Sequence, residues 1–137
     1  MRQLDFEKLD VWKRSCRLSC EVYNELNDCK NFGFKDQLTR SALSIASNIA
    51  EGEERETVNE SAKFLYIAKG SAGEAITQLY IGIEAGFVEK QKALILINEA
   101  KEISAMLAAP IKRRKGSVRE LPAIYPFNLK IQVSISE

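Results

Sequence analysis

A row of polar side chains on one short segment carries the groups that could do chemistry in this chain. The segment RSALSIASNIAEG holds four of them at spacings of three or four residues: Arg40, Ser44, Asn48 and Glu51. That spacing places them along one line of an α-helix. Together with Glu74, Glu51 would supply the pair of carboxyl groups that general acid–base catalysis uses.

The rest of the chain does not supply the other groups that such catalysis needs. Histidine is absent from all 137 residues, which excludes Ser-His-Asp and Cys-His arrangements, His-bearing zinc sites and Glu-x-x-His di-iron sites built from this chain alone. The glycine-containing GSAG of residues 70–73 lies within a helical pattern, whereas a phosphate-binding loop connects a strand to a helix. We therefore expect no enzymatic activity, no cofactor and no metal.

The polar row has two other interpretations, a solvated surface and a buried seam between helices. Asn48 lies between Ile45 and Ile49, which predicts poor access to water. Mid-helix glycines such as Gly70 and Gly73 cost about 1 kcal/mol relative to alanine, so the expected reason for them is close approach of another backbone. We favour a seam in which the two small-residue segments pack together and the polar groups bond to one another. Its predicted members are Arg40, Ser44, Asn48, Glu51, Ser71 and Glu74.

The periodicity of apolar residues predicts the helices that position this row. Apolar or small residues recur in steps of three and four over residues 9–26, 35–51, 57–85 and 89–109, which is typical of helices. Pro110 predicts a kink or an end of the last helix, because proline removes a helical hydrogen bond. Four helices with short connectors favour antiparallel neighbours. The expected fold is all-α, an antiparallel up-down-up-down four-helix bundle over residues 1–115.

Residues 116–137 have a different pattern. In FNLKIQVSI, residues 127–135, apolar and polar residues alternate, and this period of two predicts a strand. A single strand leaves its backbone groups unpaired unless another chain pairs with them. We expect a short extended C-terminal tail that packs on a neighbouring subunit, and the alternative is a loosely ordered terminus.

Charge is balanced over the whole chain and concentrated in one place. Lys and Arg total 20 against 19 Asp and Glu, so any surface that attracts nucleic acid must be local. The segment IKRRKGSVR either binds phosphate groups electrostatically or is a solvated helix end that faces the negative end of the helix dipole. No aromatic residue is interleaved with it, which disfavours a platform for stacking single-stranded bases. Its predicted nucleic-acid-binding residues are Lys112, Arg113, Arg114, Lys115 and Arg119.

The cysteines and the lengths of the apolar runs indicate the cellular location of the protein. Cys16, Cys20 and Cys29 are an odd number within one short segment, and we interpret them as reduced and mostly buried. No run of about 18 apolar residues would span a membrane, and the acidic first ten residues do not form a signal peptide. The expected location is the cytoplasm, with no membrane partner.

Three segments carry a resemblance to a known family. They are LDVWKRSCRLSCEVY, FGFKDQLTRSALSIASNIAEG and KFLYIAKGSAGEA. In that order and spacing, the chain resembles the four-helix bundle family encoded by intervening sequences inside bacterial 23S ribosomal RNA genes, over about residues 6–107. The resemblance implies a ring-shaped homopentamer with no established enzymatic activity. The family is also similar to the accessory subunit of diversity-generating retroelements, a basic pentamer that works with a reverse transcriptase and RNA.

Two classes of function are compatible with these observations. The first is a nucleic-acid-binding accessory protein that binds structured RNA through the basic segment. The alternative is a structural or protein–protein interaction module that assembles as a ring, with the C-terminal tail as one contact to a protein partner. RNA binding that weakens with salt is expected only for the first.

Overall fold

The computed structural model describes residues 1–116 and shows an all-α fold over that range. A short 3-10 helix, Asp5–Lys8, precedes four α-helices, which are α1 (Asp10–Glu25), α2 (Phe32–Glu54), α3 (Val58–Ala85) and α4 (Lys90–Lys115). Helix α1 packs against α2 and α4, and α3 packs against α2 and α4. The predicted four-helix bundle is confirmed. The predicted strand, residues 127–135, and nearly all of the predicted tail lie outside the described residues.

Side-chain caps fix where the later helices begin. The side-chain oxygen of Asn31 accepts a hydrogen bond from the Phe34 backbone N–H at 3.0 Å, and Thr57 accepts one from Glu60 at 3.2 Å. Glu89 caps α4 in the same manner, and these backbone bonds lower the pKa of its carboxyl group. Each cap satisfies N–H groups that have no partner within the helix. Because Asn31 caps α2, the helix begins three residues before the predicted start at Lys35.

Helix α2 also extends beyond its predicted end. Sequence alone placed Gly52 just past the helix, but α2 continues to Glu54 and Gly52 is buried within it. A side chain at Gly52 would lie 3.2 Å from the Leu65 side chain and from the Ser61 carbonyl oxygen. The glycine therefore permits close approach of α3 rather than ending the helix.

Helix α4 passes through Pro110 and ends at Lys115. The helix persists because its last turns are anchored on both sides of the proline. Leu107 and Ile111 are buried in the core, and the Arg114 guanidinium donates to the Pro110 carbonyl at 3.1 Å. Burial of apolar side chains offsets the single helical hydrogen bond that proline removes.

Small residues line the contact between α2 and α3, the most extensive pair of helices. Ala42, Ala68, Ala72 and Ala75 are almost completely buried there, which agrees with the predicted packing of the two small-residue segments. The predicted reason for Gly70 is wrong, however. A side chain at Gly70 would meet no atom within 4 Å, so none of the helices in the described range approaches it closely.

The cysteines are more exposed than predicted. Cys20 is exposed, Cys16 and Cys29 are half-buried, and all three are free thiols. Cys20 lies on the outer side of α1, away from the buried line of Ser15, Leu18 and Ser19. Burial raises the pKa of the Cys16 thiol, and its neighbour Cys20 adds to that effect.

Candidate functional site

Three of the six predicted seam residues meet between α2 and α3. The hydroxyl oxygens of Ser44 and Ser71 lie 2.9 Å apart and share a hydrogen bond. The Asn48 amide nitrogen donates to the Ser44 carbonyl oxygen and to its hydroxyl oxygen, both at 2.8 Å. The seam is therefore a short network that links the two helices without any charged group.

The charged members of the predicted seam lie elsewhere, so that part of the prediction is wrong. Arg40 has a side chain that is 78% exposed, and it pairs with Asp36 on its own helix at 3.0 Å. Glu51 pairs at 2.6 Å with Arg55, the residue that directly follows α2. Glu74 is exposed on α3. Removing a charge from water is costly, and these long side chains reach solvent instead.

The predicted carboxylate pair is not formed. Because α2 and α3 are antiparallel, Glu51 lies about two turns from Ser44 in one direction, and Glu74 lies about one turn from Ser71 in the other. The two carboxyl groups are thus separated by about 15 Å along the helix axes, at 1.5 Å per residue. This arrangement cannot place an acid and a base on one reacting group.

The basic segment is spread around α4 instead of forming one patch. Consecutive residues of an α-helix point about 100° apart, so four cations in a row cannot share a face. Lys112 and Arg113 are exposed, whereas Arg114 and Lys115 are half-buried. Arg119 lies outside the described residues. The predicted binding site therefore divides into side chains with different surroundings.

Arg114 joins three helices. Its guanidinium donates to the Glu53 carboxylate at 2.8 Å on α2 and to the Ser61 hydroxyl at 2.8 Å on α3. The Arg114 side chain is 23% exposed and that of Glu53 is 21% exposed. With its charge already paired inside the bundle, Arg114 stabilises the fold and is a poor candidate for contact with phosphate.

Two tyrosines of α3 hold two lysines of α4. The Lys115 ammonium lies over the Tyr66 ring, 4.5 Å from its centroid. The Lys101 ammonium lies 5.6 Å from the centroid of the Tyr80 ring and donates to the Tyr80 hydroxyl at 3.1 Å. Cation–π attraction of this kind favours a fixed position for each ammonium group.

Lys69 and Ser104 lie between these two pairs. The Lys69 ammonium donates to the Ser104 hydroxyl at 2.9 Å and approaches its carbonyl oxygen at 3.4 Å. Burial lowers the pKa of Lys69. Lys112 is exposed and follows Lys101 by eleven residues, about three helical turns, so both side chains leave α4 on the same side. We name this surface the α3–α4 groove, and its residues are Tyr66, Lys69, Tyr80, Lys101, Ser104, Lys112 and Lys115.

Two stretches of α3 and α4 that line this groove contain no acidic residue. No Asp or Glu occurs from Ile103 to Lys115 or from Ser61 to Gly73. Glu74 lies on the line of Gly70 and Ile81, at spacings of four and seven residues, rather than on the line of Tyr66, Lys69 and Tyr80. Within these two stretches every charged side chain is cationic, which favours a positive local potential on a neutral protein.

Sequence reasoning missed Tyr66, Lys69, Tyr80, Lys101 and Ser104. Aromatic residues are not interleaved with the basic segment along the chain, but the fold brings them to it from the neighbouring helix. One signal was available. The two tyrosines are fourteen positions apart and so are their lysine partners, which on two consecutive antiparallel helices allows both pairs to meet in the same register.

Within residues 1–116, no group of three or more His, Cys, Asp or Glu side chains could hold a metal ion. None of the helices described here is long and apolar enough to cross a membrane.

Comparison with known proteins identifies the family to which the chain is similar. Residues 7–109 match the model of a family described as 23S rRNA-intervening sequence protein. The fold is similar to the crystal structure of a protein with unknown function from the S23 ribosomal protein family of Bacteroides thetaiotaomicron, with a TM-score of 0.71 and 26% sequence identity. That match covers 74% of this chain and 98% of the other. No curated protein matches the chain.

Proposed function

The chain belongs to the 23S rRNA-intervening sequence protein family, and we propose that it is a non-enzymatic accessory protein that binds structured RNA through the α3–α4 groove. The observation that carries this proposal is the group of four lysines that the adjacent helices α3 and α4 bring to one side of the bundle. Lysines at phosphate groups release condensed counterions, and this supplies most of the free energy of sequence-independent binding.

The proposed binding residues differ from those expected from the sequence. Lys112 remains, and Lys115 acts from its position over the Tyr66 ring. Lys69 and Lys101 join them from outside the basic segment. Arg114 is assigned to the fold, because its guanidinium is paired with Glu53.

Self-assembly is part of the proposal. A homo-oligomer, a pentamer by resemblance, would repeat the groove around a ring, since symmetry repeats every surface patch. Several grooves on one RNA would raise the overall affinity through effective concentration without any new contact. The three free thiols are compatible with a reducing cytoplasm, which is the location we propose.

The test compares neighbouring residues on different faces of α4. Binding of the full-length protein to a fluorescent RNA stem is measured by anisotropy over a series of salt concentrations. Lys112→Ala should lower the slope of log K against log salt by about 0.9, the value for one phosphate contact on a duplex. Arg113→Ala is the matched control, because Arg113 is also an exposed cation and points about 100° away from Lys112 around α4.

The outcomes separate the interpretations. Loss of affinity in Lys112→Ala with little change in Arg113→Ala supports the groove. Equal losses in both variants would show only a diffuse effect of net charge. Failure of the unmodified protein to bind RNA at low salt would overturn the proposal.

A second candidate function is a ring-forming protein-interaction module, and a different surface favours it. Leu43 on α2 is 49% exposed, and Ile67 and Ile81 on α3 are 42% and 54% exposed. Gly70 is open to solvent beside them. Light scattering after size-exclusion chromatography tests this candidate, since Ile67→Glu should reduce the mass of the assembly if this face contacts another subunit. An unchanged mass would count against that face.

A further inference from the structure

Two of the three cysteines lie one helical turn apart on the surface of α1. Cys16 and Cys20 are four residues apart within this helix, a spacing that makes two side chains neighbours. Cys20 is exposed and Cys16 is half-buried. The charge of Cys20 contributes to the raised pKa of the Cys16 thiol, as expected for two groups that lie close together. The two thiols therefore form a cluster on a helix that is not part of the α3–α4 groove.

This pair is poorly placed to close into a disulfide. Side chains at this helical spacing have Cβ atoms about 5–6 Å apart, whereas a disulfide needs Cβ atoms about 3.5–4.5 Å apart. Closing the bond would distort α1, which Leu18 and Val22 anchor in the core. A metal ion between the sulfur atoms removes this mismatch, because two metal–thiolate bonds of about 2.3 Å, the length known for zinc, span up to about 4.6 Å.

The number of available ligands indicates which metal ions such a pair can hold. Structural zinc and iron–sulfur clusters take four protein ligands. In the part of the chain that the structure describes, no cluster of three or more His, Cys, Asp or Glu side chains could supply them. Soft thiolate ligands favour Cu(I) among the metals available to proteins, and this monovalent ion binds two thiolates in a linear arrangement.

The charges near the pair are suited to an anionic complex. One monovalent cation bound to two thiolates leaves a net charge of −1. Residues 11–20 contain no Asp or Glu. Lys13 precedes Cys16 by three residues and Arg17 precedes Cys20 by three, so each thiol has a cationic neighbour along the helix. Both cationic side chains are exposed, and nearby positive charge favours the thiolate form that binds metal.

We infer that Cys16 and Cys20 form a two-thiolate site for one soft monovalent cation of the Cu(I) class. Binding forms two metal–sulfur bonds and releases two protons, one from each thiol. The copper enters and remains as Cu(I), so the step needs no oxidant or reductant. The site differs from the expectation that the chain holds no metal, and it does not depend on RNA binding.

Competition with a chromophoric Cu(I) chelator tests the site in the full-length protein, without oxygen and with all thiols reduced. We expect one Cu(I) to bind per chain. Changing a group that only supports a metal ligand already costs about 10-fold to 100-fold in affinity, so Cys16→Ser and Cys20→Ser should each cost at least about 100-fold. Cys29→Ser is the matched control, because Cys29 lies beyond the end of α1, and it should leave binding unchanged.

Two relocated thiols test the spacing at a constant number of cysteines. In the Cys16→Ser background, Asn24→Cys places a thiol one turn after Cys20 and should restore binding. Glu21→Cys in the same background places it beside Cys20, where the two side chains point about 100° apart, and should not restore binding. Asn24 and Glu21 are both exposed, so we expect both variants to keep the melting temperature of Cys16→Ser.

The stoichiometry and the variants decide the outcome. One Cu(I) per chain that is lost in Cys16→Ser and in Cys20→Ser, and kept in Cys29→Ser, supports the site. One Cu(I) per two chains would show that Cys20 thiols of two copies share the metal and would overturn it. An equal loss in Cys29→Ser, displacement of Cu(I) by an equal concentration of Zn(II), or equal binding by the two relocated variants would overturn it as well.

Discussion

The two sides of helix α3 use polar residues in opposite ways. Towards α2, the short uncharged side chain of Ser71 bonds to Ser44 at 2.9 Å within a contact lined by alanine. Towards α4, long cationic side chains cross the surface and lie against tyrosine rings. Short polar groups permit close packing of helices, whereas long ones keep their charge near water. One helix thus builds the bundle on one side and presents charge on the other.

The largest effect expected on the packed side comes from Gly82→Ala. The new methyl group would lie 2.6 Å from the Phe34 ring and 3.1 Å from Val88. Overpacking of this kind costs about 1–3 kcal/mol, and we expect about 2 kcal/mol less free energy of unfolding in urea denaturation.

Gly70→Ala is the matched control on the same helix. No atom lies within 4 Å of the new methyl group, and alanine favours helix over glycine, so the free energy of unfolding should rise by about 0.5–1 kcal/mol. A loss of stability in this variant would indicate that a second copy of the chain contacts Gly70.

Two cations in the same turn of α4 test the division of the basic segment. Arg114→Ala should lower the free energy of unfolding by about 2 kcal/mol, because it leaves the half-buried Glu53 carboxylate without its partner. Lys112→Ala should change it by less than about 0.5 kcal/mol, as for most surface positions. If Lys112→Ala were equally destabilising in thermal and urea unfolding, the two residues would not have the separate roles described here.

The seam predicts a smaller loss. Asn48→Leu removes the two hydrogen bonds that the amide donates to Ser44, and we expect a cost of about 1 kcal/mol. Because Ser44 and Asn48 are only half-buried between α2 and α3, we also expect the mass of the assembly to change in light scattering. An unchanged mass together with an unchanged melting temperature would refute both expectations.

The smallest effect on stability is expected on the charged side. Burial lowers the pKa of Lys69 below its ordinary value of 10.5. Between those two pKa values the unfolded chain binds more protons than the folded chain, so the free energy of unfolding should rise with pH across that window. Lys69→Met should abolish that rise and slightly stabilise the protein at neutral pH, while weakening RNA binding.

A pH series of thermal melts on the unmodified protein and on Lys69→Met measures this difference. Equal alkaline behaviour of the two proteins would show that Lys69 is solvated. Greater stability together with weaker binding would be the signature of a residue kept for a partner at a cost to the fold.

The fold followed from the sequence because apolar periodicity and capping residues are local signals. All four helices were predicted, and the errors in the prediction were confined to helix ends. At Gly52, for example, packing against a neighbouring helix rather than the local sequence determines that α2 continues. The candidate site followed less well. The basic segment is a run of adjacent cations in the sequence. Adjacent residues of α4 point in different directions, so such a run does not form one surface.

The seam also shows what residue spacing in the sequence can and cannot predict. Spacing correctly aligned Ser44 and Asn48 on one line of α2, and the small-residue packing correctly brought Ser71 to them. Spacing could not show that Arg40 and Glu51 find partners four residues away along the chain, because an ion pair with Asp36 or Arg55 depends on which way a long side chain turns.

The equal separation of the tyrosines and their lysines has a consequence for how this protein can vary. Fourteen residues make nearly four complete helical turns, so Tyr66 and Tyr80 leave α3 in almost the same direction, as do Lys101 and Lys115 on α4. One residue inserted between either pair would rotate its far member by about 100° and move it off the surface. Relatives that keep this surface should therefore exchange side chains between the two pairs at positions outside the groove and the core, but they should not gain or lose single residues there.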